Sequence, residues 1–341
     1  MRIFYDEEAD VSALAGETVA VIGYGIQGRA QALNLRDSRL AVIVGNRDDD
    51  YRRRAEADGF TVLDPADAAA RGDVVVLLVP DEVQPEVYRT SVGPGLSAGK
   101  ALVFAHGFAI RYGLIEPPAD VDVLLVSPRM PGGYLRERYL AGSGVPAFVD
   151  AHRDATGRAW PRALALAKAL GLTRAGVLPI TFAEETELDL FTEHYLYPLI
   201  IGAIEAAFAA LVDNGYTPEA ALMELYGSGE VGEVLLTASK VGLYTMLDRN
   251  ASPACQFGIY THKDRLITAE QRRQIQSIID AIKSGAFARE LVADGQDGHA
   301  RLKALASAAH GSPLVAVETT VRRLMQGAPR TPAAGAAEPE S

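Results

Sequence analysis

The apolar run Thr18-Val19-Ala20-Val21-Ile22 leads straight into Gly23-Tyr24-Gly25-Ile26-Gln27-Gly28, and a helical pattern follows. A buried strand, a tight G-x-G-x-x-G turn and a helix start, in that order, form the opening βα unit of a dinucleotide-binding fold. The glycines let the chain reverse tightly. The helix then begins with unpaired N–H groups and the positive end of its dipole facing outward, so a pyrophosphate is the natural occupant. The same six residues away from a strand and a helix would be only a glycine-rich turn.

The pattern continues through the first half of the chain. Apolar runs rich in Val, Leu and Ile lie at 18–22, 40–44, 74–79, 101–105, 122–126 and 145–149, several of them separated by helical patterns. Continuous apolar strands interleaved with helices predict a parallel sheet covered on both faces. After Thr181 the character changes. Helices are predicted at about 183–213, 217–226, 231–248, 268–284, 286–293 and 297–325, with no strand among them. The chain therefore reads as a Rossmann-like α/β domain over 1–180 and an all-α domain over 181–326. The Ala-, Pro- and Gly-rich tail 327–341 is expected to be disordered.

Composition narrows the function. The 341 residues suffice for two cores, and a net charge of -11 argues against nucleic acid and anionic membrane surfaces as partners. A single cysteine, Cys255, excludes an internal disulfide or a cysteine-based zinc site and suits a reducing cytoplasm. The acidic opening Asp6-Glu7-Glu8 does not resemble a signal peptide. Tyr195 to Val212 is the stretch to weigh as a membrane span, but Pro198 and Glu205 interrupt it. A core helix or a subunit interface is the expected reading, with no membrane.

Ligands of open α/β sheets sit beyond the carboxyl ends of the strands, where several loops carry chemistry. Gly45-Asn46-Arg47-Asp48-Asp49-Asp50 should meet the adenosine ribose. A carboxylate there accepts from the ribose hydroxyls and repels a 2′-phosphate, whereas an arginine binds that phosphate. The loop offers both, so NADH and NADPH stay open. Pro80-Asp81-Glu82-Val83-Gln84 follows another strand. His106 ends the run 101–105, where it can relay a proton, and Arg129 follows the run 122–126, where it can hold a carboxylate. The second domain opens with Thr181 and Glu184 at capping-box spacing. Glu185, Asp189 and Glu193 then recur at i,i+4 spacing with no basic partner. Stacked carboxylates repel, and either a hard cation such as Mg²⁺ or simple solvation of a helix N-terminus accounts for them.

Taken together these residues resemble the short bacterial type of ketol-acid reductoisomerase. The collinear motifs are Phe4-Tyr5-Asp6, Tyr24-Gly25-Ile26-Gln27-Gly28, Ala32-Leu33-Asn34-Leu35-Arg36-Asp37-Ser38, Pro80-Asp81-Glu82-Val83-Gln84, Ala105-His106-Gly107-Phe108, Thr173-Arg174-Ala175-Gly176-Val177, Asp189-Leu190-Phe191-x-Glu193 and Gly215-Tyr216-x-Pro218-Glu219. The resemblance implies a knotted all-α C-terminal domain, a homodimer or higher homo-oligomer, and a 2-hydroxy-3-keto acid substrate whose alkyl group migrates before the new ketone is reduced. It implies two Mg²⁺ ions with Asp189, Glu193, Glu224 and Glu230 as candidate ligands, the second pair from a neighbouring subunit. His106 and Arg129 join them as catalytic candidates and Ser252 as a substrate contact. Cofactor contacts are implied at Gly23, Tyr24, Gly25, Ile26, Gln27, Gly28, Arg47, Asp50, Asp81, Gln84 and Gly132.

The departures from the family pattern matter. Arg129 stands where the family has lysine, and the swap is not conservative at a tight site. Ser228 stands at the spacing of the second partner-subunit acid, with Glu230 and Glu233 as nearby substitutes, and glycines weaken the helix there. Gln256 replaces a family glutamate, and the Asp48–Asp50 run replaces phosphate-binding serines, which leans toward NADH. These departures fit a paralogue with an atypical substrate. A plain keto-acid or imine reductase and an inactive dinucleotide-binding homologue are the alternatives.

Overall fold

The structure, a computed structural model, describes residues 2–326. The tail 327–341, expected to be disordered, lies outside the described residues. Eight strands form one sheet: β1 Thr18–Ile22, β2 Ala41–Gly45, β3 Thr61–Leu63, β4 Val74–Leu77, β5 Ala101–Phe104, β6 Asp122–Pro128, β7 Ala147–Arg153 and β8 Val177–Pro179. Their order is β3-β2-β1-β4-β5-β6-β7-β8. Two strands exceed the sequence reading: β3 and β8, each three residues long and too short to stand out as apolar runs.

One pairing departs from the all-parallel expectation. β7 runs antiparallel to β6, with Ala147 opposite Pro128. The chain leaves β6, forms a helix at Gly132–Leu140 and turns through Gly142 and Gly144, both at positive φ. It re-enters the sheet at the end it left, so no crossover is needed.

The helices of the sheet-bearing half are α1 Ile26–Asp37, α2 Asp50–Ala57, α3 Pro65–Arg71, α4 Gln84–Val87, α5 Phe108–Arg111, α6 Gly132–Leu140, α7 Ala159–Ala169 and α8 Phe182–Phe191. Strand alternation splits the core between the two faces of the sheet. Val19, Val21, Val74, Val76 and Val103 pack with α1 and α7 residues such as Leu35 and Leu166. Ala20, Ile22, Val75, Leu77 and Phe104 pack on the other side with Ala68 and Phe182. Near-continuous burial along β4, β5 and β6 is the mark of a sheet covered twice.

The later helices are α9 Tyr197–Asp213, α10 Pro218–Leu222, α11 Glu230–Val241, α12 Leu243–Asn250, α13 Pro253–Leu266, α14 Ala269–Lys283, α15 Ala286–Gln296, α16 Ala300–His310 and α17 Pro313–Gln326. No strand occurs among the described residues after Pro179. Helix α13 was not foreseen, and the stretch expected to be one helix at 231–248 is broken at Gly242, whose φ is 95°. By contacts, one compact unit holds the chain up to Leu190 together with Ile282–Gly295, and the other holds Phe191–Ala281 with the described residues from Gln296 onward. Helix α8 belongs with the sheet because Phe182, Glu185, Thr186 and Leu190 are buried there. Ile282 and Lys283 return to that unit, where their carbonyls accept from Tyr112 Oη (2.9 Å) and an Arg111 guanidinium nitrogen (3.1 Å). The second unit has its own small core of Phe208, Ala221, Leu222 and Val321.

Candidate active site

The glycine turn after β1 and the Pro80–Gln84 segment after β4 follow two paired strands that continue to opposite sides of the sheet. This is the switch point where open α/β sheets bind ligands. At Gly28 a Cβ would lie 1.9 Å from the Gly23 carbonyl oxygen, so nothing larger fits. Gly25, by contrast, faces open space at the N-cap of α1, with no side chain capping the helix. The first-turn amides, beginning at Ile26, are left for an anion. Gly132 admits the start of α6 against the start of α1: its Cβ would stand 2.1 Å from the Ile26 carbonyl oxygen. Gln27 Nε2 donates to the Met130 carbonyl (3.0 Å) and ties the same two segments. Tyr24 is turned inward. Its ring packs on Phe60, its hydroxyl donates to Asp58 (2.9 Å) and its N–H donates to Asn46 Oδ1 (3.0 Å).

The loop between β2 and α2 largely satisfies itself. Asp49 caps α2 by accepting from the Tyr51 N–H (3.0 Å) and Arg52 N–H (3.2 Å), and it accepts from Arg47 Nε at 2.8 Å. The Arg47 hydrogen bond holds the Asp49 carboxyl below its ordinary range. Asp50 pairs with Arg53, which also lies 3.7 Å from Asp48. Arg47, Asp48 and Asp50 are exposed and are free to meet a nucleotide only by opening these local pairs.

The ends of β4, β5 and β6 bring a cluster together under α8. Helix α8 starts firmly: the Phe182 N–H donates to Asp150 Oδ2 (3.1 Å), and the Glu184 N–H donates to Thr181 Oγ1 (3.1 Å), which is Thr181's half of the expected capping box. His106 Nδ1 donates to Asp81 Oδ2 at 2.7 Å, and Gln84 Nε2 fixes Asp81 by donating to its other oxygen at 3.0 Å. His106 Nε2 is buried without a hydrogen-bond partner and lies 3.6 Å from Asp189 Oδ2. Glu185 is wholly buried and accepts from the Gly107 N–H (2.8 Å), Ser127 Oγ (2.8 Å) and Arg129 Nη1 (3.2 Å). The Arg129 guanidinium also pairs with Asp189 and lies over the Phe148 ring, 5.0 Å from its centroid. Burial pushes the Glu185 carboxyl up, against the pull of His106, the Gly107 amide and Ser127. Burial opposes charge on His106 too, but the Asp81 hydrogen bond and the negative charge of Asp81, Glu185 and Asp189 outweigh it and push the imidazole up to about 9.

Donor atoms of His106, Glu185 and Asp189 all lie within 4.8 Å of one another. Of these, the two carboxylates supply the oxygen donors that suit a hard divalent cation. Sequence reasoning placed Glu185 on the acidic face of the helix but did not choose it as a site residue, and it missed Ser127. Asp81 and Gln84, expected at the cofactor, are engaged with His106 and the loop. The remaining expected residues belong to the second unit. Glu193 and Glu224 are exposed and each sits in a π-turn, Thr192–Leu196 and Met223–Gly227. Such turns recur at functional sites. Glu230 is exposed in the first turn of α11, after Gly229 in the left-handed conformation. Ser252 caps α13, its Oγ accepting from the Cys255 N–H at 3.3 Å.

Residues 13–176 match the family described as acetohydroxy acid isomeroreductase, NADPH-binding domain, and residues 182–327 match ketol-acid reductoisomerase, C-terminal domain. The ketol-acid reductoisomerase (NADP(+)) of Pyrobaculum islandicum is 42% identical over 328 residues, 96% of this chain and 98% of that protein. The Pyrobaculum calidifontis enzyme of the same name is 44% identical, over 96% of this chain and 99% of its own. Among solved structures, an NADH-preferring ketol-acid reductoisomerase from an uncultured archean superposes with a TM-score of 0.91 at 37% identity, covering 95% of this chain and 99% of that one. With a dinucleotide cradle, a histidine–carboxylate cluster and full-length likeness on both halves, the chain belongs to the ketol-acid reductoisomerase family and is an NAD(P)H-dependent oxidoreductase of that type.

Proposed function

We propose that the cluster of His106, Glu185, Asp189 and Arg129 is where a 2-hydroxy-2-alkyl-3-keto acid undergoes alkyl migration and then reduction. The observation that carries this reading is the convergence of these side chains beyond β5 and β6, with Asp81 beyond β4 in the same hydrogen-bonded set. Asp189 and Glu193 would hold Mg²⁺, with Glu224 and Glu230 contributed by a second copy. Mg²⁺ bound there supplies Lewis-acid polarisation of the ketone and acidifies the neighbouring alcohol. The chain's own residues do the rest. The α1 amides hold the pyrophosphate, Asp81 orients His106, and His106 Nε2 carries a proton toward the reacting oxygens. Arg129 and Ser252 meet the substrate carboxylate or hydroxyls.

The paired arginines of the β2–α2 loop support NADH over NADPH, because a 2′-phosphate would have to displace an aspartate from Arg47 or Arg53. A second copy is supported by the apolar side chains that the second unit exposes, among them Leu243 at 62%, Tyr244 at 57% and Phe257 at 74%. The helical stretch Phe182–Asp213 is apolar enough to cross a membrane by length and composition, and only 6% of its apolar window is buried within the chain. Its carboxylates, Glu184, Glu185, Glu187, Asp189, Glu193, Glu205 and Asp213, favour a subunit interface in a soluble, cytoplasmic enzyme. The division near residue 180 into a cofactor half and a knotted helical half is part of the same proposal.

The test follows NAD(P)H oxidation and product formation with acetolactate and, separately, with 3-hydroxy-3-methyl-2-oxobutanoate. Asp189→Asn is expected to lose Mg²⁺-dependent turnover of both while keeping its dinucleotide affinity. Reduction of the second compound without turnover of the first, at excess Mg²⁺, would reject the migration step and leave a plain reductase.

A further inference from the structure

Two acidic side chains, Glu185 and Asp189, stand one helical turn apart with ligand atoms inside a 4.8 Å cluster, and Glu185 is wholly shielded from water. Like charges so placed need a compensating cation. The structure holds two: the His106 imidazole, with Nε2 3.6 Å from Asp189 Oδ2, and the Arg129 guanidinium, which alone bridges both acids, with Nη1 3.2 Å from Glu185 Oε1 and the other terminal nitrogen on Asp189. Ser127 Oγ, 3.3 Å from Nη1, and the Phe148 ring beneath hold the fork in place. A planar guanidinium spans two carboxylates in a way that a point-charge ammonium cannot.

We propose that Arg129 is a built-in competitor for the divalent cation, an inference that rests on the metal reading of Asp189 given above. In the structure the guanidinium pairs with Asp189 Oδ1. A divalent ion taking that oxygen meets a positive charge a few ångströms away, so one of the two must leave. The arginine can leave: its side chain is 28% exposed, whereas Glu185 is fixed by the Gly107 amide and Ser127. Displacement frees the fork for an anionic substrate group, so cation and carboxylate substrate assist each other's binding through one side chain.

The experiment titrates Mn²⁺ into the full-length protein without dinucleotide or substrate and reads bound metal by electron paramagnetic resonance. Arg129→Gln, which keeps a hydrogen-bond donor toward Glu185 but no charge, is expected to bind Mn²⁺ about ten-fold more tightly than the wild type. An equal or weaker affinity overturns the proposal. Absence of Mn²⁺ binding in both proteins at millimolar metal removes the metal site itself, a different failure. A second measurement needs no variant: the Arg129 Nη signals of ¹⁵N-arginine-labelled wild type, whose hydrogens bond Glu185 and Asp189, should be protected from solvent in the metal-free protein and lose that protection as Mg²⁺ is added. A signal indifferent to Mg²⁺ also overturns the proposal.

Discussion

His106 presents one nitrogen to the cluster because Asp81 holds the other. That hydrogen bond, with the surrounding carboxylates, makes the imidazole a weaker acid than a free histidine despite its burial. The consequence for stability has a definite sign. With a folded value of about 9 against an ordinary 6.5, the protonated ring stabilises the metal-free fold fully below pH 6.5, and this contribution is lost as pH rises through about 9. Unfolding free energies from urea titrations of metal-free protein at pH 6 and pH 9.5 are expected to differ by up to about 3 kcal/mol from this group. Asp81→Asn should flatten the difference, and an unchanged slope would dissociate Asp81 from the histidine. At this scale the sequence was partly legible. His106, Arg129 and Asp189 were marked by their places after strands or along an acidic helix. Glu185 was not chosen, because periodicity puts it on the same face as Asp189 without revealing that one of them is sealed from water.

The β2–α2 loop is the element on which cofactor choice turns. Its middle aspartate is a helix cap, an outcome that Asn-Arg-Asp-Asp-Asp before a helical pattern leaves open, since any of three carboxylates suits an N-cap. The flanking Asp48 and Asp50 keep Arg53 occupied. Replacing both with serine releases that arginine, so kcat/KM for NADPH relative to NADH is expected to rise about ten-fold or more. A ratio that does not move would assign specificity elsewhere. Elements with strong periodicity, such as β1, β4, β5 and α1, are visible in the sequence. The three-residue strands β3 and β8 are not, because pairing with a longer neighbour, not their own composition, makes them strands. The π-turns around Glu193 and Glu224 are equally silent, for no residue type demands them.

For the whole molecule, the expected trans contribution of Glu224 makes an all-or-none test. Asp189→Asn and Glu224→Gln should each be inactive alone. Subunits of the two kinds, mixed and allowed to exchange, should regain activity, since a mixed dimer keeps one site free of both substitutions. No recovery, with exchange verified by mass, would place all the ligands on a single chain. The two-part architecture was readable from the switch between strand–helix alternation and unbroken helices. The return of Ile282–Gly295 to the sheet-bearing unit was not, because it depends on backbone carbonyls that accept from Arg111 and Tyr112.

The far margin of the sheet, β8, is not bare. Phe4 exchanges two backbone hydrogen bonds of 2.9 Å with Val177, and its ring meets Trp160 edge-on. Trimming the chain past Phe4 would expose that margin as a sticky template for other chains. Purification handles or fused partners at the front of the protein therefore need a spacer long enough to leave this short clasp shut.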